Sequence, residues 1–501
     1  MISFYDHAAN KTQTVSNMNL ALTDVSLEKP MGIEFDAMVD GKPVSFEGSA
    51  GPLGKEPGKG IIALDLTVKA LGQLTLDIAG NLTDPGAGPK FDLDIGLHPF
   101  SPRKLVAQLS PDFILETKDP GVLEHLALNF KLQGDPTAVT VKGGSMDLDD
   151  SKLTFSMGIK AFSKPDIKFD MVLNTIELDR YLPPAKEGDI AKTGEGDKAG
   201  AAAGTKPMDY TPLRKMVIDG KLGASKVKAH GALISDLVIR VIGRDGRFNI
   251  HPCTFNLYGG SAASRVLFDV AGNEPKTSIE MDAAGIQSGP LLKDLLNKDI
   301  LEGMMTAKVA VTMTGDRPEA VKKTLTGNGE FLFQDGAIVG IDLAGMLRNV
   351  QESFGMAKKT SEKPRTDFAE LVAPFTINNG LINTPGTRLA SPLLRLSAEG
   401  NADVPKESLD FRVEPKIVAT IKGQGDTEDH SGLTVPVLVT GTFSSPQFRP
   451  DLKALLKSQV PDEKALKEII ENKDIREEKL KTLENEAKSL FKGFSLDQKA
   501  E

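Results

Sequence analysis

Six histidines and one cysteine are the residues best suited to metal or nucleophilic chemistry, and their spacing argues against both. His7, His98, His125, His230, His251 and His430 form no H-x-x-x-H or H-E-x-x-H pair that would set two imidazoles on one helix face. His251 and Cys253 alternate along what reads as a strand, so they share a face. They are either a metal pair or two ordinary strand residues. A lone Cys253 makes no intramolecular disulfide and no multi-cysteine metal site. The segment Gly51-Pro52-Leu53-Gly54-Lys55-Glu56-Pro57-Gly58-Lys59 has the residue types of a phosphate loop. It lacks the G-x-x-x-x-G-K-[ST] spacing and a following helix, so it reads as a polar loop. Asp147, Asp149 and Asp150 lack the glycine and terminal glutamate of an EF-hand loop and read as a solvated turn. G-x-S-x-G and G-x-G-x-x-G are absent. The residues predict a non-enzyme without a cofactor or a metal.

Composition narrows the partners. A net charge of −9 argues against nucleic acid as the main partner. Tryptophan is absent and aromatics make up 5% of the chain, too few for stacking platforms for bases. No window has the roughly 18 apolar residues of a membrane-spanning helix. The chain opens on ISFYDHAANKTQTVSNMNLALTDV, which reads as strand, turn, strand with no basic and apolar leader. We therefore expect sequence to be missing ahead of Met1.

The elements that carry these residues are mostly strands. Leu64, Leu66 and Val68 alternate with Asp65, Thr67 and Lys69. Phe91, Leu93, Ile95 and Leu97 alternate with Asp92, Asp94 and Gly96, and Leu126, Leu128, Phe130 and Leu132 with Ala127, Asn129 and Lys131. Such period-2 segments have one apolar and one polar face, as in antiparallel sheet. Turn pairs separate them, among them Asp40-Gly41, Asp245-Gly246 and Asn379-Gly380. A weak repeat recurs: an alternating strand running into a short Leu-rich helical turn, beginning at Pro89, Pro165 and Pro275. It implies an accreting sheet. We divide the chain into an N-terminal β-rich region 1–184, a disordered Gly/Ala/Lys-rich linker 185–210, a second β-rich region 211–450 and a charged helical tail 451–501. In the tail Leu480, Leu483, Ala487, Leu490 and Phe494 fall on one helix face.

Gly327–Val350 is the most informative stretch. Phe331 and Phe333 alternate with Glu330 and Gln334, and Asp335-Gly336 then offers a tight turn. Ile338 and Ile341 restart a strand around Gly340. Asp342 is placed to cap a helix with Leu343, Met346, Leu347 and Val350 on one face.

This stretch resembles a segment of the AsmA family, and other pieces strengthen the resemblance in order and spacing. They are IELDRYLPP at Ile176–Pro184, FNLYGGS at Phe255–Ser261, TDFAELVAPFTINNGLI at Thr366–Ile382, SPLLRLSAEGNADVP, and VPVLVTGTFSSPQFRPDL at Val435–Leu452. Asp335, Gly336, Gly340, Asp342, Asn379 and Gly380 stand at the matching motif positions. The family is similar to bridge-like lipid-transfer proteins of the Gram-negative cell envelope. The resemblance implies a periplasm-facing protein of outer-membrane biogenesis, held at the inner membrane by an N-terminal helix that this sequence lacks. It also implies phospholipid or another acyl lipid as a partner, conducted between the membranes.

Fold and function are thus expected to be a mainly β, elongated, curled antiparallel sheet with few short helices and a C-terminal amphipathic helix. Its apolar strand faces either pack as a closed sandwich or hold acyl chains in a groove. Candidate groove residues are Leu64, Leu66, Phe91, Leu93, Ile95, Leu126, Leu128, Phe130, Phe331 and Phe333. The alternative function is a factor for outer-membrane protein assembly and targeting to the membrane, acting through contacts with the assembly machinery.

Overall fold

A computed structural model describes residues 2–6, 11–56, 58–86, 88–110, 113–184, 208–340, 364–392, 394–417, 436–443 and 445–451. The chain forms two compact units, Met1–Glu187 with Asp209–Phe255, and Gly188–Met208 with Asn256–Glu501. The fold is mainly β with a few short helices.

In the first unit β1 (Ile2–Asp6), β2 (Lys11–Thr23), β3 (Met31–Val39), β4 (Lys42–Gly51), β5 (Ile61–Ala70), β6 (Leu74–Thr83) and β7 (Lys90–Phe100) form an antiparallel meander. Helix α1 (Pro102–Leu109) follows, capped by the Ser101 hydroxyl, which accepts from the Lys104 N–H at 3.2 Å. The meander resumes with β8 (Leu126–Asp135), β9 (Ala138–Leu148), β10 (Ser151–Lys160) and β11 (Asp166–Glu177). Helix α2 (Thr211–Lys215) leads into β12 (Val217–Ala229), which pairs with β11 in parallel and with β13 (Ala232–Arg244) antiparallel. A parallel neighbour needs a connection that carries the chain back to the starting end of the sheet, and the long segment after β11 supplies it. β14 (Arg247–Leu257) spans the division between the units.

The second unit is antiparallel in every pairing described. It runs through β15 (Gly260–Asp269), β16 (Lys276–Gln287), helix α3 (Ser288–Leu296), β17 (Leu301–Thr314) and helix α4 (Pro318–Thr324). β18 (Thr326–Val339), β19 (Arg365–Asn378), β20 (Leu381–Ala390), β21 (Leu394–Asp403), β22 (Ser408–Ile417), β23 (Val437–Thr442) and β24 (Pro446–Pro450) complete it. Among the described residues no pairing closes either unit's strands into a barrel.

Turn chemistry sets the reversals. Asp40-Gly41 (φ 49° and 76°) joins Val39 to its partner Lys42, and Asn379-Gly380 (φ 50° and 79°) joins Asn378 to Leu381. Both are two-residue hairpins with the positive φ pair that suits twisted strands. The repeat of strand and short helix is present at all three places: β7 into α1, β11 into a 3-10 turn at Leu178–Arg180, and β16 into α3.

Asp335-Gly336 is a correction. These residues make no hairpin, since β18 is one continuous strand through Val339. Asp335 does adopt a positive φ, 48°, but as a bend within the strand. Gln334 and Asp335 are both exposed, as are Ala369 and Glu370 on β19, so the alternation skips and Phe333 and Gly336 both turn inward. The expected helix after Asp342, the linker residues 185–207 and the tail residues 452–501 lie outside the described residues. Among the described residues no helix is long and apolar enough to cross a membrane.

Candidate functional site: an apolar sheet face

The strand register assigns every alternating side chain to a face. In the first unit one ladder of directly paired residues reads Phe35, Phe46, Val68, Leu76, Leu97, Leu128, Met146, Leu153, Leu173, Ala224, Leu237 from β3 to β13. The ladder beside it reads Gly48, Leu66, Ile78, Ile95, Phe130 from β4 to β8, and the next reads Ala50, Leu64, Gly80, Leu93, Leu132. Phe91 pairs with Leu82 and Gly134, and Leu126 with Phe100 and Leu148. Leu64, Leu66, Phe91, Leu93, Ile95, Leu126, Leu128 and Phe130 therefore share one face, together with residues of β3, β6, β9, β10 and β11.

Phe331 and Phe333 belong to the second unit. Its main ladder reads Val266, Ile279, Val311, Gly327, Ile377, Ile382, Ala402, Leu409, Gly441. Phe331 lies between Ala307 and Ala373, and its ring stacks on Phe375 with centroids 5.4 Å apart. Phe333, Phe368 and Leu389 form a small core, packed by Leu301, Met305 and Leu371 among others, just where β18 bends at Asp335.

The opposite faces are polar. In the first unit Glu34, Glu47, Thr67, Asp77, Gly96, Asn129, Ser145 and Thr154 form the corresponding ladder from β3 to β10; beyond β10 it turns apolar through Val172, Gly223 and Val238, with Val172 and Val238 52% and 48% exposed. Lys69 pairs with Glu47 at 2.7 Å, and Lys131 reaches Asp94 at 3.0 Å and Asp92 at 3.2 Å. Hydrogen bonds from His98 and Thr67 hold the Asp77 carboxyl below its ordinary value. In the second unit Arg265, Glu280, Ala310, Asn328, Thr376, Asn383, Asn401, Asp410, Thr440 and Gln447 do the same.

Burial decides how the apolar faces are used. In a closed sandwich the central leucines and phenylalanines would be fully buried. Here Leu64, Leu66, Phe91, Leu93, Ile95, Leu126, Leu128 and Phe130 are all half-buried. Among the described residues, the largest apolar side chains that are fully buried are Leu389, Val122 and Val270, none of them on the ladders of the first unit. On β2, Leu20 and Leu22 extend the face beside Phe35 and Ile33 and are 62% and 47% exposed. Leu20 and Leu22 thus leave apolar surface in contact with water at this end of the face.

The chemical candidates separate differently. Among the described residues no group of three or more His, Cys, Asp or Glu side chains could hold a metal ion. Burial pushes the Cys253 thiol up, which disfavours the nucleophilic thiolate. Asp149 is no solvated turn. Its carboxylate accepts the backbone N–H groups of Leu123, Glu124 and His125 at 2.8, 3.0 and 3.1 Å, and the Tyr181 hydroxyl at 2.9 Å. Burial raises its pKa, but these donors outweigh burial and the net shift is downward. Asp150 pairs with Arg180 at 2.8 Å, and Arg180 also binds Asp119. The acidic cluster thus ties the segment before β8 to the one after β11.

The motif positions are architectural. The Phe368 ring covers Gly336, and the Gly340 N–H donates to Pro364 O at 2.7 Å. The Gly380 N–H donates to Leu325 O at 2.8 Å, and a β-carbon at Gly380 would collide with Lys322 O and the Pro405 ring. Asp342 lies outside the described residues.

Comparison with known proteins agrees with the residue pattern. Protein AsmA of Escherichia coli (strain K12) is 21% identical over 336 residues, 64% of this chain and 54% of that protein. The chain thus spans about half the length of that relative. No solved structure matches. A sequence model of the AsmA family matches residues 121–387, more than half of the chain. The chain belongs to the AsmA family.

Proposed function

We propose that this chain is a non-enzymatic protein of the cell envelope that holds acyl chains of phospholipid against its apolar sheet faces, in the service of outer-membrane biogenesis. The observation that carries this reading is the continuous ladder from Phe35 to Leu237, whose large members remain half-buried while the other face is polar from β3 to β10. The physical logic concerns a barrier. An acyl chain leaving a bilayer for water loses about 0.8 kcal/mol for each methylene exposed. A surface of leucine, valine and phenylalanine returns most of that, so the chain meets no steep climb between one membrane and the next. A polar headgroup stays in water, which requires an open face and not a sealed cavity. In this reading the full protein faces the periplasm from the inner membrane and conducts lipid between the membranes. Mass spectrometry of lipid extracted from the purified chain tests it. Stoichiometric phospholipid is expected; a reproducibly lipid-free protein that moves no lipid between liposomes would overturn it.

A second reading is a factor for outer-membrane protein assembly that acts by contact. It is favoured by β24, which among the described strands pairs only with β23 and leaves an edge to which a partner strand could add. Crosslinking from the exposed residues Gln447 and Arg449 discriminates: capture of an assembly-machinery protein supports this reading, and lipid adducts alone oppose it.

A further inference from the structure

Glycine is depleted from strand interiors because it has no side chain to pack. On the apolar faces five of the glycines sit directly opposite a phenylalanine. Phe91 faces Gly134, Phe155 faces Gly144 and Phe169 faces Gly220 in the first unit. Phe375 faces Gly329 and Phe368 faces Gly336 in the second. In each pair the ring leans across and covers the glycine. A β-carbon built on Gly144 would lie 2.6 Å from Cε2 and Cζ of Phe155, and one on Gly134 would lie 2.6 Å from Cζ of Phe91. On Gly220 it would overlap the ring of Phe169. A ring facing any larger residue has to stand up from the sheet. Facing glycine, it lies down.

We propose that the Phe–Gly pairs of the first unit set the clearance above its apolar face, giving a low floor of aromatic rings along which an alkyl chain lies and slides. This rests on the acyl-chain reading above. Phe91, Phe155 and Phe169 are half-buried, so their upper surfaces are open to a ligand. A flat ring offers contact to methylenes without the pits that would fix a chain at one depth. Adding one carbon under the ring lifts it into the space the ligand takes. A glycine kept only for sheet stability would respond differently, because covering it with a ring also stabilises a strand pair. The two roles separate when loading and melting are measured together.

The test uses the full chain in five forms: wild type, Gly144→Ala, Gly220→Ala, and the pairs Gly144→Ala/Phe155→Leu and Gly220→Ala/Phe169→Leu. Each is incubated with vesicles of phosphatidylethanolamine and phosphatidylglycerol, re-isolated, and assayed for bound phospholipid and thermal midpoint. We expect the single Gly→Ala variants to carry several-fold less lipid than wild type, and the paired variants, whose ring is gone, to recover it. Wild-type loading in folded Gly→Ala variants overturns the inference while leaving the acyl-chain reading intact. So does lost loading that the paired variants, melting like wild type, fail to restore. Should the Gly→Ala variants not fold, Phe155→Trp and Phe169→Trp decide, since a larger ring takes the space of the ligand: several-fold less lipid is expected, and wild-type loading in the folded variants overturns the proposal. A wild-type chain that takes up no lipid overturns the acyl-chain reading and this inference with it.

Discussion

Leu93 sits between Gly80 and Leu132 on its face, and Leu128 between Leu97 and Met146. Both are half-buried, so a carboxylate at either place keeps a path to water. Leu93→Asp and Leu128→Asp are therefore expected to cost about 1–3 kcal/mol, the range for a partly compensated polar group, and to lower lipid loading. Thermal melts with lipid analysis check this; wholesale unfolding of both variants would mean the positions belong to a closed core. Tyr181 supplies a prediction in pH. Burial, and then its hydrogen bond to Asp149, push its hydroxyl up to about 12. The folded state prefers the protonated phenol, so this contribution is whole below the unfolded value of about 10 and is lost as pH rises through the folded one. Wild type should lose stability across that window faster than Tyr181→Phe, measured by denaturant midpoints. Equal slopes would mean that the hydrogen bond of Tyr181 to Asp149 contributes nothing to stability. The apolar residues were legible in the sequence because alternation alone assigns a face, whereas Asp149 was not. Its partners Leu123, Glu124 and His125 are distant in sequence, and no spacing rule announces them.

At the scale of elements, strands and hairpins were legible where local chemistry decides them. Asp40-Gly41 and Asn379-Gly380 both turn as their types demand. Asp335-Gly336 has the same residue types and does not reverse the chain, because Gly336 sits under Phe368 from a strand that pairs on past the bend. Local preference chose the positive φ, and long-range pairing chose what it was used for. The parallel pairing of β11 with β12 was hidden for a related reason. Both strands alternate like their antiparallel neighbours, so direction is fixed only by the connection. Asp335 gives the third prediction. A β-branched residue suffers most in the left-handed region, so Asp335→Val should cost about 1–2 kcal/mol, while Asp335→Asn and Asp335→Gly should be tolerated. Thermal midpoints check the order; Asp335→Val melting like wild type would show that the bend has relaxed.

At the scale of the whole molecule, each unit is built of strands with an apolar face and a mostly polar one. The helices described are short, so the apolar faces meet water unless something else covers them. In the function proposed above, this covering is lipid. The most direct measurement exploits the period of a strand. Leu153 lies on the apolar ladder of β10 and is half-buried, and its neighbour Thr154 lies on the polar ladder and is exposed. A photo-crosslinking residue placed at one or the other, in the full-length protein in cells, samples the two faces from the same place in the chain. Phospholipid adducts at 153 and none at 154 are the predicted result. Adducts at neither position, or equally at both, would contradict the claim that the apolar face is the lipid-bearing surface.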